Sequence, residues 1–179
     1  MSKIEIIYQE GEEYINNIWN YMHKAGVWAL FGQKNDKFEC LNVGKSIDVG
    51  GEVLYDVGCL HNLEYKIDGM KRYINQFGED CGFDSADGMT QEYLYPFIKT
   101  QGYDTLLFLM VHDESNREVE RILAWMTHAQ YWRNGKAFAK SRENYYISQL
   151  NTMIGKRQNK TVWKTEKDII KFLSNIKWT

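Results

Sequence analysis

The most constraining feature of the sequence is a continuous apolar run from Thr105 to Val111, bounded by Gly102 and Asp113. A run of this length without polar alternation is typical of a β-strand that is buried on both faces. We therefore predict that Thr105 to Val111 forms the central strand of a sheet.

Two further strands are predicted nearer the N-terminus. Residues 27–31 and 38–43 are apolar or β-branched runs, and the polar residues 32–37 between them suit a hairpin connection. Before them, apolar residues at helical spacing predict a helix over about residues 12–24. The hairpin and the central strand together predict an antiparallel sheet of three strands.

The middle of the chain is less regular. Residues 46–61 contain Gly50 and Gly51, and their apolar residues fit either a strand or a helix. Residues 63–77 carry apolar residues on one helical face and predict a helix. Residues 78–88 predict a surface loop, and residues 90–98 a short helix.

The C-terminal third predicts helices only. Apolar spacing indicates one helix around residues 119–126, another over residues 141–154, and a last one that begins at Thr165. The Thr165 hydroxyl is suited to cap the last helix, and the Asp168 side chain, three residues later, is suited to bond back to the Thr165 backbone amide. The elements together predict a fold of mixed α/β (α+β) class, a small three-stranded antiparallel sheet flanked by helices.

The organisation predicted for the chain is one domain over residues 1–179. The 179 residues suffice for a single hydrophobic core, and repeats and linkers are absent from the sequence. We place the core of the domain at about residues 23–134 and a basic helical extension at residues 135–179. Charge marks the change: residues 1–116 carry 9 basic and 19 acidic side chains, whereas residues 117–179 carry 13 and 5. This polarity favours an anionic partner at the basic end, or a basic tail folded over an acidic body.

Composition excludes several other classes of protein. The longest apolar run is far shorter than a membrane span, and residues 1–13 are acidic and lack the features of a secretory signal. Cys40, Cys59 and Cys81 are widely spaced and odd in number, which fits reduced thiols better than disulfides or a metal site. We expect a soluble cytoplasmic protein that does not associate with membranes.

Two segments resemble the signature strands of the GIY-YIG nucleases. They are Gly26-Val27-Trp28 on the first hairpin strand and Asn42-Val43-Gly44-Lys45-Ser46-Ile47-Asp48 after the second. The resemblance spans about residues 23–134. It implies phosphodiester hydrolysis by a water that a tyrosine activates, with a divalent cation, Mg²⁺ or Mn²⁺, held by a glutamate on a later helix. Nucleic acid, DNA rather than RNA, is the partner that it implies.

Several positions retain residues of the family pattern. The resemblance matches Gly26 and Gly44 to the motif glycines and Lys45 to the lysine that follows the second motif in the repair-nuclease branch. It matches Glu120 to the metal-binding glutamate and, more weakly, Asn134 to the family's terminal asparagine. Lys45 and Glu120 are therefore the expected catalytic residues.

The catalytic tyrosines and the arginine of the family are replaced. Trp28 and Asn42 stand at the tyrosine positions, and neither side chain titrates usefully as a general base. The expected arginine falls on residues 50–52. On residue type alone, His61 or Tyr55 is a substitute base.

A substitute phosphate clamp and a binding surface are also predicted. Arg72 is the next arginine after the missing one, and we expect it to take that role. Basic residues near the expected metal glutamate are candidates for nucleic-acid binding: Arg121, Arg133, Lys136 and Lys140. Aromatic residues lie among them, and these either stack on bases or are half-buried packing residues: Trp125, Tyr131 and Trp132.

Three functions remain open at this stage. The first is a metal-dependent endonuclease with a rearranged active site, in which Glu120 is essential. The second is a catalytically degenerate member of the fold that binds nucleic acid or protein. The third is an unrelated α/β interaction protein, which would lack the hairpin packed against the Thr105 to Val111 strand.

Overall fold

The computed structural model describes residues 4–61, 63–67, 70–74, 80–82, 95, 98, 101–132 and 161–178, with only the backbone for the three strands between residues 63 and 82. In chain order the described elements are β1 (Glu5–Gln9), β2 (Ile15–Asn16), a 3-10 turn (Ile18–Tyr21), β3 (Gly26–Lys34), β4 (Lys37–Ser46), α1 (Val49–His61), β5 (Leu63–Ile67), β6 (Met70–Ile74), β7 (Asp80–Gly82), β8 (Thr105–His112), α2 (Arg117–Thr127), β9 (Val162–Trp163) and α3 (Glu166–Ser174).

The main sheet has six antiparallel strands in the order β2-β1-β8-β3-β4-β9. The run from Thr105 to Val111 forms the interior strand β8, between β1 and β3, and is buried along its whole length, as predicted. The hairpin is also confirmed, because β3 and β4 pair from Gly26 opposite Ser46 to Lys34 opposite Lys37. Asn35 and Asp36 turn the chain with positive φ, the conformation of a tight hairpin loop.

The prediction of only three strands was wrong in number. The edge strands β2 and β9 have two residues each, too few to leave a periodic pattern in the sequence. The predicted helix over residues 12–24 was wrong as well, since β2 and the 3-10 turn occupy it. Asn17 bonds the backbone of β1 through both its amide groups, and such local bonds compete with a helix.

A second, three-stranded sheet is formed by β5, β6 and β7. The predicted helix over residues 63–77 was therefore wrong, because β5 and β6 pair as antiparallel strands. Asp68-Gly69 between them is a common hairpin dipeptide, and Gly69 disfavours a helix. Here the pairing of two strands outweighed a weak helical periodicity.

Both faces of the main sheet are covered. On one face α1 packs over side chains of β3, β4 and β8, with Tyr95 and Ile98 in the same apolar cluster. On the other face α2 and α3 pack over the alternate side chains, including Trp163. The ambiguous residues 46–61 thus form mainly the helix α1, whose position over the sheet determines the geometry of the candidate site.

Two predicted helices are confirmed in α2 and α3. Thr165 caps α3 as expected, its hydroxyl accepting the Asp168 amide at 3.2 Å. Residues 95 and 98 of the predicted helix 90–98 are helical. The remainder of that segment, part of the predicted loop 78–88 and the predicted helix 141–154 lie outside the described residues.

Candidate functional site

The aromatic residue of the first motif, Trp28, is buried by packing. Trp28 on β3 lies opposite Gly44 on β4, and its indole is 1% exposed. A Cβ at Gly44 would lie 2.5 Å from Trp28 Cζ2, so glycine is required for the indole to lie flat on the strand. Trp28 is therefore a packing residue. Its buried Nε1 has no hydrogen-bond partner among the residues that the structure describes.

The second motif position begins a polar chain that leads into the core. Asn42 donates from Nδ2 to the Tyr95 hydroxyl at 3.3 Å, and that hydroxyl donates to Asp56 Oδ2 at 3.1 Å. Asp56 Oδ1 is buried and makes no hydrogen bond among the described residues. Burial raises the pKa of Asp56 well above its ordinary value. Asp56 is therefore favoured in its neutral form.

Glu52 lies one helical turn before Asp56. Residues at positions i and i+4 lie on the same face of a helix, so the Glu52 and Asp56 carboxyl groups lie on the same face of α1. Burial raises the pKa of Glu52 to about 7, while the Ser46 side chain and the nearby Trp28 indole favour its charged form. The Glu52 charge in turn raises the pKa of Asp56. The pKa of each carboxyl group in this pair therefore lies above its ordinary value.

Lys45 and Glu120 both act electrostatically on this pair. Glu120 raises the pKa of Glu52, and Lys45 lowers it. Lys45 is exposed on β4, whereas Glu120 on α2 is buried and accepts a hydrogen bond from Trp132 Nε1 at 3.1 Å. The charges of the two retained residues thus affect Glu52, while α1 and α2 pack on opposite faces of the main sheet.

Strand pairing along the outer edge of β4 is limited to its first residues in the described part of the chain. β9 pairs with β4 only at Phe38 and Glu39, and the backbone amides of Gln130 and Tyr131 bond the carbonyls of Cys40 and Leu41. Beyond that point, no described strand pairs with the outer edge of residues 42–46. We call Asn42, Lys45, Glu52, Asp56, Tyr95 and Glu120 the Glu52 cluster.

His61 belongs to a different cluster at the other end of α1. Its Nε2 contacts Glu10 Oε1, and the Tyr8 hydroxyl donates to the same carboxylate at 2.9 Å. Nine residues separate His61 from Glu52, roughly 13 Å along the helix axis. The expected substitute base therefore does not join Lys45 and Glu120. We call Tyr8, Glu10 and His61 the His61 cluster.

Steric hindrance excludes an arginine at one of its three expected positions. A Cβ at Gly50 would lie 2.4 Å from the backbone nitrogen of Met22 and 2.6 Å from the carbonyl carbon of Tyr21. Backbone atoms cannot move aside as a flexible side chain does, so no larger residue fits at position 50. Arg72, the expected replacement, lies on β6 in the second sheet, and its side chain is outside the described residues.

The other predicted residues are divided between surface and core. Arg121 is exposed on α2, and of the three nearby aromatic residues only Trp125 is exposed, since Tyr131 and Trp132 are buried. Tyr55, the other residue predicted as a substitute base, is half-buried and packs against the apolar cluster between α1 and the sheet. The remaining predicted binding and motif residues lie outside the described residues: Arg133, Asn134, Lys136 and Lys140.

The divalent cation implied by the resemblance requires oxygen ligands. Within the described part of the chain, no group of three or more His, Cys, Asp or Glu side chains is arranged to hold a metal ion. Glu120 offers a carboxylate, but one oxygen is bonded to Trp132 and the side chain is buried. These donors do not form a ready-made metal site, and we assign no chemical step to a metal.

Comparisons with known proteins add no identification: no family model, curated protein or solved structure matches this chain. Among the described residues, no helix combines the length and apolar character needed to cross a membrane.

Sequence reasoning missed the acidic pair and Tyr95. Glu52 and Asp56 lie in the segment whose secondary structure was ambiguous, so their four-residue spacing carried no meaning until α1 was known. Tyr95 is far from them in sequence, and only the fold brings its hydroxyl to Asp56.

Proposed function

We propose that this protein is a GIY-YIG-like domain that hydrolyses phosphodiester bonds in nucleic acid, with DNA as the preferred substrate, and that Glu52 replaces the motif tyrosines as the general base. The observation that supports this proposal is the pKa of Glu52. It is raised to about 7 in the first turn of α1, where the charges of Lys45 and Glu120 also act on it. A carboxylate with a pKa near the working pH is well suited to accept a proton from water.

The reaction proposed for the site uses these side chains directly. Glu52 in its charged form takes a proton from water, and the water oxygen forms a bond to phosphorus. Lys45 stabilises the negative charge that builds on the phosphate oxygens. The bond from phosphorus to the leaving sugar oxygen breaks, and that oxygen takes a proton from solvent. Asp56 and Tyr95 take no direct part in this step, because their hydrogen bond to each other lies in the core.

The retained motif positions support the same assignment. β3, β4, α1, β8 and α2 follow one another in the element order that the resemblance implies, with the hairpin paired against β8. Lys45 and Glu120 occupy the expected elements of that order. Glu52 is one of the three positions, 50–52, where the family pattern has its phosphate-binding arginine. The proposed base therefore replaces that arginine.

The test is a cleavage assay with the full chain. Plasmid, single-stranded DNA and RNA are incubated with Mg²⁺, Mn²⁺ or a chelator, using the parent protein and the variants Glu52→Gln, Lys45→Gln and Glu120→Ala. Loss of a general base costs about 10²- to 10⁴-fold in rate, so Glu52→Gln should lower cleavage at least 100-fold. Glu13→Gln, an exposed change beyond β1, is the matched control and should cut like the parent.

Each outcome has a defined meaning. Cleavage by Glu52→Gln at the parent rate would refute the assignment of the base. Cleavage that the chelator abolishes, and that Glu120→Ala also loses, would support the metal role that the resemblance implies for Glu120.

A second function is favoured by one observation. Both motif tyrosine positions are occupied by engaged side chains, Trp28 in the core and Asn42 bonded to Tyr95. A protein that binds nucleic acid without cutting it would have no need for bases there. Salt-sensitive binding by parent and variants, with no cleavage by any of them, would establish this alternative.

A further inference from the structure

One exposed face of α2 combines two arginines with a tryptophan. Arg117, Arg121 and Trp125 follow one another at four-residue intervals. Residues at this spacing lie about 6 Å apart along the axis and within about 80° around it. They therefore form a continuous strip on the helix surface, which we call the α2 stripe.

Trp125 is the most unusual member of the stripe. It is 74% exposed on a helix whose opposite side carries the buried residues Val119 and Leu123. The two neighbouring aromatic residues of the chain, Tyr131 and Trp132, are buried, so packing accounts for them and not for Trp125. An exposed indole presents a flat π-face, the surface on which nucleic-acid bases stack.

The arginines give the stripe its charge. Arg117 is exposed, and Arg121 is half-exposed with its Nη1 3.6 Å from Glu118 Oε1. An exposed ion pair of this kind contributes little, so Arg121 can exchange Glu118 for a phosphate at low cost. Arginine suits this exchange because its planar guanidinium also stacks on bases. The charge of the stripe is complementary to a phosphodiester backbone.

We propose that the α2 stripe binds a single strand of nucleic acid, with a base stacked on Trp125 and phosphates held by Arg117 and Arg121. This inference rests on the proposed function and specifies the substrate as single-stranded. A base in a duplex is already stacked on its neighbours and cannot offer its face to Trp125.

The test measures binding rather than cleavage. A fluorescently labelled single-stranded oligonucleotide is titrated with the Glu52→Gln protein, and anisotropy reports the dissociation constant. Adding Trp125→Ala should weaken binding about 5- to 100-fold, whereas Trp125→Phe should retain most of the affinity. Met126→Ala, an exposed apolar change on another face of α2, is the matched control and should bind as the Glu52→Gln protein does.

The arginines are tested through salt dependence. Arg117→Gln and Arg121→Gln should each lower the slope of log affinity against log salt by about 0.7, the value for one phosphate contact on a single strand. The same oligonucleotide annealed into a duplex should bind more weakly and should not respond to Trp125→Ala.

The outcomes separate this inference from the proposed function. Equal binding of the single strand by the Trp125→Ala and Met126→Ala proteins, no binding by any variant, or tighter binding of the duplex would each overturn the α2 stripe. Parent-like cleavage by Glu52→Gln would overturn the assigned base and leave the stripe result intact. Circular dichroism spectra that match the parent's would show that Trp125→Ala has not acted by unfolding α2.

Discussion

The two ends of α1 carry titratable groups in opposite environments. Near its start, Glu52 and Asp56 are packed between the helix and the sheet, and burial raises the pKa of both carboxyl groups. At its end, His61 is 30% exposed and contacts the carboxylate of Glu10. One end holds like groups that repel each other's charge, and the other holds a pair of complementary groups.

This difference teaches where an unusual acid or base arises. On residue type, His61 is the natural base because histidine is the side chain most often used for proton transfer in enzymes. A glutamate acquires a similar pKa only when burial and a neighbouring carboxylate disfavour its charge. Glu52 has that environment, and it lies beside Lys45, whereas His61 lies about two and a half helical turns away.

The largest expected effect is on the pH dependence of cleavage. If Glu52 is the base, kcat/KM should rise about tenfold per pH unit and level off near pH 7, a change of about 100-fold from pH 5 to 7. The profile should be unchanged in His61→Asn. A midpoint that disappears in His61→Asn and persists in Glu52→Gln would reverse the roles of the two ends.

Packing at the two ends should also differ in cost. Gly50→Ala should lower the free energy of unfolding by about 3 kcal/mol, because its Cβ would meet the backbone of residues 21 and 22. His61→Ala, at the half-exposed end, should cost about 1 kcal/mol or less. Urea denaturation measures both, and equal losses would show that the first turn of α1 can shift to accept a side chain.

A smaller effect is expected on the pH dependence of stability. The folded-state pKa of Glu52 is about 7, above its ordinary value of 4.5, so its contribution is fully present below pH 4.5 and is lost as pH rises through 7. Glutamine cannot ionise. Glu52→Gln should therefore be about 2 kcal/mol more stable relative to the parent at pH 8 than at pH 4.5.

The measurement for this prediction is urea denaturation of parent and variant across that pH range. Glu13→Gln serves as the control, since an exposed carboxyl should give a nearly constant difference from the parent. A constant difference for Glu52→Gln as well would mean that its pKa in the folded protein is ordinary.

The smallest effect is expected at the His61 end. Half-exposed ion pairs contribute little, so a double-mutant cycle of Glu10→Gln and His61→Asn should give a coupling energy of about 0.5 kcal/mol. Urea denaturation of the parent, both single variants and the double variant completes the cycle. A coupling above about 2 kcal/mol would make the His61 cluster the more strongly organised end.

Local signals in the sequence predicted much of the sheet and both described C-terminal helices. The run from Leu106 to Val111 is apolar at every position, and each of these positions is buried in the sheet. Thr165 caps α3 through a bond to Asp168, only three residues away. Such signals survive because the residues that create them interact within a few positions or share one environment. The second hairpin strand was predicted to end at residue 43, and in the structure it continues through Lys45 to Ser46.

Contacts between distant segments decided the rest. Residues 63–67 and 70–74 are strands because they pair with each other, and residues 15–16 are a strand because β1 is beside them. Neither of these strand pairings can be read from the spacing of apolar residues within one segment. Burial of Glu52, the link from Tyr95 to Asp56 and the separation of His61 from Lys45 likewise depend on where α1 crosses the sheet.

The sequence by itself determined the interior strand, the hairpin with its motif-like ends and the caps, since these depend on side-chain spacing and near neighbours. Only the tertiary structure decided which ionisable groups meet. A pKa is shifted by burial and by charges from other elements, and neither exists until the chain is folded.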